Sequence, residues 1–541
     1  MSYGTFLHGV SCYNCIGKEQ LLHCTEILKY FASSPDSMFT LHINILSDVA
    51  FVALVALTAY YAIKRLHYHP LSKYPGPVLA ALTSWYRAYY DIVKDGGWSE
   101  HLEYLHSKYG KIIRIGPNEL HFSHPRAYNE IYGIGTRHIK QPEMYSCFST
   151  DKSVFAMVDH HEVMQRRNLI GPFFSRRAIL NLEKTVQEKI DLLVSRLLEY
   201  TPRKQSANLD LAFRATSLEV ITSYCFARSS NALDSRNFQN EILSAIDQTL
   251  PMIWVFKHFP LVKRILLGVP ECFASVLKPS TTGILEQRRQ MGSQIDQILK
   301  DPTSLHSADH ETIYHHFITP QPDNERMPPV HRDWLLDEGL YLRFAGSDTV
   351  GNTCTVAAYY ILSSPHVHRK LFQSLLEAWP DKEMPASYET LERLPYLTAV
   401  IKESLRMAHG VVSPLPRIVG PADAVISGEV IPAGTVVSMA APILHRNAEI
   451  FPNPLTFIPE RWLKDESAEL EKYLVAFSKG PRSCLGINLA WCELYLIIGT
   501  VFRKLDLTPD SPSIDNISFR EYFVPIHRGR HFHAFVAPTK R

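Results

Sequence analysis

Cys484 stands in the segment 477–486, FSKGPRSCLG, which sets Phe, Gly, Arg, Cys and Gly at offsets 0, 3, 5, 7 and 9. An apolar, helix-like run, 487–502, follows directly, so this cysteine sits where a loop meets a helix N-terminus. The unpaired amides and the positive end of the helix dipole favour thiolate over thiol there. A thiolate so placed can act as a nucleophile or hold a metal. Gly480 and Gly486 allow a tight turn and the close approach of a flat group, Phe477 can pack beneath the sulfur, and Arg482 can meet an anion. A second group with chemical potential is Asp348-Thr349, an acid beside an alcohol, preceded by Ala345, Gly346 and Ser347. Gly followed by small hydroxylated residues weakens a helix ladder and permits a local kink, and the hydroxyl can bond a backbone carbonyl. A third is Glu403-x-x-Arg406, whose spacing places carboxylate and guanidinium on one helix face.

The elements that carry these residues read as mostly helical. Residues 333–362 form a long, largely apolar helix stopped by Ser363-Ser364-Pro365. Residues 395–408 form another, with Pro395 in the first turn where proline is tolerated. The stretch 159–299 is mainly helical, with breaks at Pro251, Pro260 and Pro270. Residues 111–122 read as a hairpin around Gly116-Pro117, and 425–438 as a small sheet. The fold class expected is mainly α with a minor β region.

Taken together these segments resemble the cytochrome P-450 family over residues 70–541. The cysteine loop matches F-x-x-G-x-R-x-C-x-G at every fixed position, and residues 345–349 resemble A-G-x-D-T-T, with Val350 in place of the last Thr. Residues 457–462 match F-x-P-E-R-W, which makes Arg461 the third member of a buried structural network with Glu403 and Arg406. Removing one partner of such a network costs ~3–5 kcal/mol. Residues 159–175 resemble the helix in which a Trp or His precedes an Arg by four positions. Here the Arg is Arg167, while Val163 stands at the Trp/His position and His160 and His161 are out of phase. Arg417, after Pro414-Leu415-Pro416, matches the family Arg that reaches a propionate. The string 69–77 is similar to fungal microsomal members, including those of trichodiene oxygenase type.

The resemblance implies a b-type heme ligated by the Cys484 thiolate, with Phe477 and Gly486 lining it and Arg167, Arg417 and Arg482 meeting its two propionates. Asp348 and Thr349 are implied to deliver protons during oxygen activation. The implied reaction inserts one atom of O2 into a hydrophobic small molecule, by hydroxylation or epoxidation. No Gly-rich dinucleotide fingerprint follows a strand, so electrons are expected from NADPH through a separate NADPH–cytochrome P-450 reductase, docked near Lys479 and Arg166. The substrate class expected is terpenoid, in fungal secondary metabolism, with polyketide or alkaloid as the alternatives. A heme-thiolate isomerase or dehydratase that does not use O2, a heme sensor and a structural membrane protein are the rival readings. Retention of Asp348 and Thr349 speaks against the first two. By the same resemblance the pocket is lined from 134–158, 225–252, the start of the long helix, 411–416 and 522–526.

Charge is almost balanced, with 56 basic and 54 acidic residues and a net +2, so nothing marks a nucleic-acid partner. Nine scattered cysteines in a chain of 541 residues argue against a disulfide framework, and Cys12-x-x-Cys15 is read as incidental. Residues 41–63 are membrane-like, although the uncharged part, 49–63, is shorter than the ~20 residues a span needs. Lys64, Arg65 and Lys73 follow, and positive charge on that side places the remainder in the cytosol. The organisation expected is a lumenal segment 1–40, a transmembrane anchor 41–64, a basic, Pro-rich hinge 65–77 and a catalytic domain 78–541, in the endoplasmic reticulum membrane. Residues 250–267 are unusually apolar and read either as core or as a second, shallow membrane contact.

Overall fold

A computed structural model describes residues 35–268, 279–318 and 331–540. Cys12, Cys15, Cys24 and Pro270, and most of the segment read as lumenal, lie outside them. Two compact units divide the chain between Ser72 and Lys73. In the first, helix α1 (Pro35–His67) is longer than the expected anchor. Its part Asn44–His67 is long and apolar enough to cross a membrane, and it ends on Lys64, Arg65 and His67.

The second unit is mainly helical. Its central pair is α3 (Leu209–Phe226) and α8 (Arg332–Ser363). Every residue of α3 is buried, as a helix without a solvent face requires. Around the pair lie α2 (His160–Ile170), α4 (Glu241–Thr249), α5 (Met252–His258), α6 (Pro260–Leu267), α7 (Pro279–Lys300), α9 (Pro395–Ala408) and α10 (Ile487–Lys504). Caps match the sequence: Asp159 accepts from the Glu162 amide at 2.7 Å, Asn208 from Leu211 at 3.0 Å, and Pro395 occupies the first turn of α9.

The expected hairpin pairs β1 (Ile112–Gly116) with β2 (Glu119–Phe122) antiparallel, with an irregularity between Arg114 and Gly116. These strands open a five-stranded sheet completed by β3 (Ile139–Lys140), β4 (Arg417–Ile418) and β5 (Val436–Ser438), in the order β1-β2-β5-β4-β3. The link between β2 and β5 is parallel. The region 425–438 therefore does not form one sheet. Ala424–Ile426 and Glu429–Ile431 make their own hairpin around Ser427 and Gly428, both with positive φ, and β5 then leaves for the larger sheet. The sheet supplies two buried cations to the site, Lys140 from β3 and Arg417 from β4.

Candidate functional site

The loop 477–486 makes a turn that few sequences permit. Ser478 and Gly480 take φ of 56° and 66°, and a Cβ on Gly480 would lie 2.2 Å from the Tyr132 carbonyl oxygen. The Cys484 amide donates to the Phe477 carbonyl at 2.9 Å, closing the loop just before α10. The Cys484 side chain is bare on its cavity side, although protein surrounds it. Burial pushes its thiol pKa up, against the opposing pull of the Gly486 amide and Arg167. The amide influence expected from the sequence is thus present, joined by Arg167, but in the protein alone desolvation outweighs both; a coordinated cation reverses that balance.

Cys484, Phe477 and Gly486 line a cavity to which α8 contributes Tyr341, Phe344, Ala345, Gly346 and Thr349. Its empty space is about 1620 Å³ including the open mouth, more than a single small-molecule site usually offers. The expected lining at 134–158, 411–416 and 522–526 appears as Phe155, Val411, Leu415, Phe523 and Val524. Residues of 225–252 instead line an adjoining apolar pocket through Ala245, Ile246 and Leu250, with Tyr341 and Phe344 common to both.

Four cations gather at the cavity. Arg167 donates to the Ser483 carbonyl at 2.9 Å, and Arg482 donates to the Met157 carbonyl while its Nη1 is buried with no partner. Arg417 donates to the Tyr145 hydroxyl at 2.5 Å. Lys140, which the sequence reading missed, donates to the Phe155 carbonyl at 2.5 Å and lies 4.1 Å from the centroids of the Tyr145 and Phe155 rings. Burial, then Arg482, Arg417 and Arg167, hold the Lys140 pKa well below its ordinary range, and burial brings that of Arg482 down to about 10. Such crowding of like charge is costly unless an anion is shared among them. One lysine in a two-residue strand between His138 and Pro142 gives no periodic signal, so only the strand pairing reveals it.

On α8 the Thr349 hydroxyl donates to the Ala345 carbonyl at 2.9 Å. The kink expected there does not appear as a break, since α8 is continuous from Arg332 to Ser363. Gly346 serves packing instead: a Cβ on it would lie 2.5 Å from Cγ1 of Ile221 on α3. Asp348 does not face solvent. Its Oδ1 accepts from Arg214 Nε at 2.6 Å, its Oδ2 is buried without a partner, and Arg214 continues to Asp247 on α4 at 2.6 Å. Burial raises the Asp348 carboxyl to about 6, with Arg214 opposing and Asp247 adding to the shift. A further acid, Glu493 on α10, lines the cavity fully buried, and burial raises its pKa far above the usual range. An acid inside the apolar run 487–502 was its available signal.

Glu403, Arg406 and Arg461 meet in the interior. Glu403 accepts from Arg406 at 2.8 and 2.9 Å, from Arg461 at 3.1 Å, and from the Trp462 indole at 2.9 Å. Arg406 also binds the His445 and Pro454 carbonyls, which fixes the segment leading to the cysteine loop.

A family model for cytochrome P-450 matches residues 85–529. The chain belongs to the cytochrome P-450 family. Among curated proteins, a cytochrome P-450 monooxygenase of Eupenicillium brefeldianum is 35% identical over 88% of this chain and 96% of its own length. Another, of Ascocoryne sarcoides, is 36% identical over 82% and 89%. Conidiogenone synthase of Penicillium rubens is 36% identical over 86% and 94%. The enzyme is thus a cytochrome P-450 monooxygenase, and the family implies a heme iron. The residues present fit that group: one thiol faces the cavity, and three lining cations, one with an orphaned buried nitrogen and with Arg417 near them, suit a doubly anionic ligand.

On the P-450 helix α2 the out-of-phase histidines lie as expected, whereas the expected docking charge does not. Val163 is fully buried, and His160 and His161 are exposed at the helix start, so neither histidine replaces the missing Trp. Arg166 does not offer a docking charge. It is buried over the Trp334 ring, donating to Glu162 and to the Lys152 carbonyl, and Lys479 is half-buried on the Lys472 carbonyl.

Proposed function

We propose that this chain is a membrane-anchored monooxygenase of fungal secondary metabolism that oxygenates a neutral, hydrophobic, terpenoid-like substrate. The observation that carries the substrate class is the chamber above the loop. Phe155 stacks on Tyr341 at 4.3 Å, Phe148 meets Phe523 at 4.6 Å, and Phe344, Val411, Leu415 and Val524 complete a lining suited to hydrocarbon. When bound, a thiolate-ligated heme supplies the activation of dioxygen. In the net reaction one O2, two electrons and two protons convert an R–H into R–OH and one water.

Cys484 would ligate the iron, and Arg167, Arg417, Arg482 and Lys140 would hold the propionates. Thr349 would hold a proton donor at the cavity, with Asp348 behind it as the acid. Glu403, Arg406 and Arg461 keep the loop in place. Residues 1–40 would be lumenal, α1 would anchor the enzyme in the endoplasmic reticulum with the catalytic domain 78–541 cytosolic, and NADPH–cytochrome P-450 reductase would supply electrons. Support for a second membrane contact comes from 250–267, where the expectation divides: Leu250, Ile253, Trp254 and Phe256 are core, while Leu261 and Ile265 are exposed.

The test is product formation in microsomes containing the reductase, with candidate terpenoids, polyketides and alkaloids. Oxygenated product should require NADPH, O2 and an intact Cys484, and Cys484→Ala should also lose the red-shifted Soret band of the reduced carbonyl complex. Turnover that persists without O2 would establish an isomerase or dehydratase instead.

A further inference from the structure

Each turnover of the proposed reaction consumes two protons deep in an apolar chamber, and Asp348, the acid assigned to supply them, is sealed from solvent. One polar path leaves Asp348 directly, and a second polar row begins one helix turn away. The first runs through Arg214 to Asp247, whose side chain is 41% exposed. A guanidinium stays protonated at any working pH, so this path holds charge but cannot pass a proton.

The second path starts one turn along α8 at Asn352, whose Oδ1 lies 2.8 Å from Nε2 of His527. His527 is buried, and its Nδ1 lies 3.8 Å from Oδ1 of Asp210 on α3. Asp210 Oδ2 lies 2.5 Å from Nδ1 of His531. The His531 side chain is 47% exposed, against 6% for Asp210. Thr355 donates to Asp210 Oδ1 at 3.3 Å, fixing the carboxylate. Asp210 and Arg214 are a turn apart on α3, as Asp348 and Asn352 are on α8, so the two rows face each other along the helix pair.

We infer that His531, Asp210 and His527 form the proton inlet of this enzyme, with Asn352 positioning the last transfer toward Asp348. Imidazole is the one side chain here that both takes and gives a proton near neutral pH. The ends differ in the required sense. The hydrogen bond His531 donates to Asp210 raises the His531 pKa, whereas burial lowers that of His527, so the outer ring holds a proton and the inner one releases it. The other charged groups facing the path are Arg214, Asp247 and Asp348 on the interior side, and Arg530, His533 and Asp510 near the surface.

This inference rests on the monooxygenase reading with Asp348 as acid. The full-length enzyme with its reductase is compared with His527→Gln, His531→Gln and Asp348→Asn. The reduced carbonyl spectrum should be unchanged in all three, and turnover in His527→Gln should fall ~10²-fold or more, in the range that supplying a proton is worth. The pH profile of turnover should lose its dependence on the His531 ionisation in His531→Gln, and the solvent deuterium isotope effect should rise. Independently of turnover, exchange of the His531 C2 proton, read by mass spectrometry across pH, should show a raised pKa that drops in Asp210→Asn. Loss of activity in Asp348→Asn with unchanged rate, pH profile and isotope effect in both histidine variants overturns the inlet while leaving the acid in place. A silent Asp348→Asn overturns the acid and the inlet with it. Because His531 is at the surface, its variant decides the matter even if His527→Gln misfolds.

Discussion

Thr349 and Asp348 perform separable tasks, and substitution should separate them. Thr349→Ala removes a hydroxyl that donates to the Ala345 carbonyl, so heme loading and NADPH consumption should persist while electrons divert to hydrogen peroxide. Asp348→Asn should slow turnover by ~10²–10⁴-fold, the usual worth of a positioned acid, without that diversion. Product, peroxide and NADPH measured in one assay decide the point, and wild-type coupling in Thr349→Ala would remove its role. Glu338 gives a pH test in the same helix. It is buried in the cavity wall, accepts from the Val154 amide at 2.7 Å, and burial raises its pKa to about 7. A carboxyl whose folded pKa exceeds its unfolded value binds more protons when folded, so its stabilisation is complete below pH ~4.5 and is lost as pH rises through 7. Glu338→Gln should therefore match wild type in acid and exceed it by up to about 3 kcal/mol at pH 8, measured by denaturant melts at both pH values. Neither Glu338 nor Lys140 was legible in the sequence. A motif exposes residues whose neighbours are close in the chain, whereas these two acquire meaning from a strand and a loop far away.

The helix pair α3 and α8 works because two glycines let the backbones approach. A Cβ on Gly351 would lie 2.7 Å from Cα of Arg214, much as one on Gly346 would meet Ile221. Gly346→Ala should cost about 1–3 kcal/mol through overpacking, and Ile221→Ala in the same chain should recover part of it, a coupling that a double-mutant cycle of melting measurements would read. Additive losses would show that Gly346 matters for something other than this contact. The long helix 333–362, the helix 395–408 and the hairpin were legible to within a residue or two, because proline and glycine punctuate their ends. The packing role of Gly346 went unread for a plain cause: sequence reports what a glycine permits, and only the neighbouring helix reports why it is needed. For the same reason the region 425–438 looked like one sheet, although strand partners are chosen across the chain.

At the level of the entire chain, the division at Ser72 predicts that deleting residues 1–67 leaves the reduced carbonyl spectrum intact and shifts much of the protein from the membrane pellet to the supernatant. Residual pelleting should vanish when Leu261→Ser and Ile265→Ser are added, as flotation with neutral-lipid vesicles would show; loss of heme from a folded truncation would contradict the division. Assembly of the catalytic unit has its own timetable. Strand β2 pairs with β5 through Glu119–Val436 and Leu120–Val437, partners separated by 317 positions (436 − 119). At ~5–20 residues per second, a ribosome needs roughly 15–60 s to deliver the second strand after the first. Throughout that interval the growing chain presents an open strand edge, and open edges recruit wrong partners. The yield of folded enzyme from a foreign host should thus respond more to codon choice between residues 123 and 435 than to any choice made after 438.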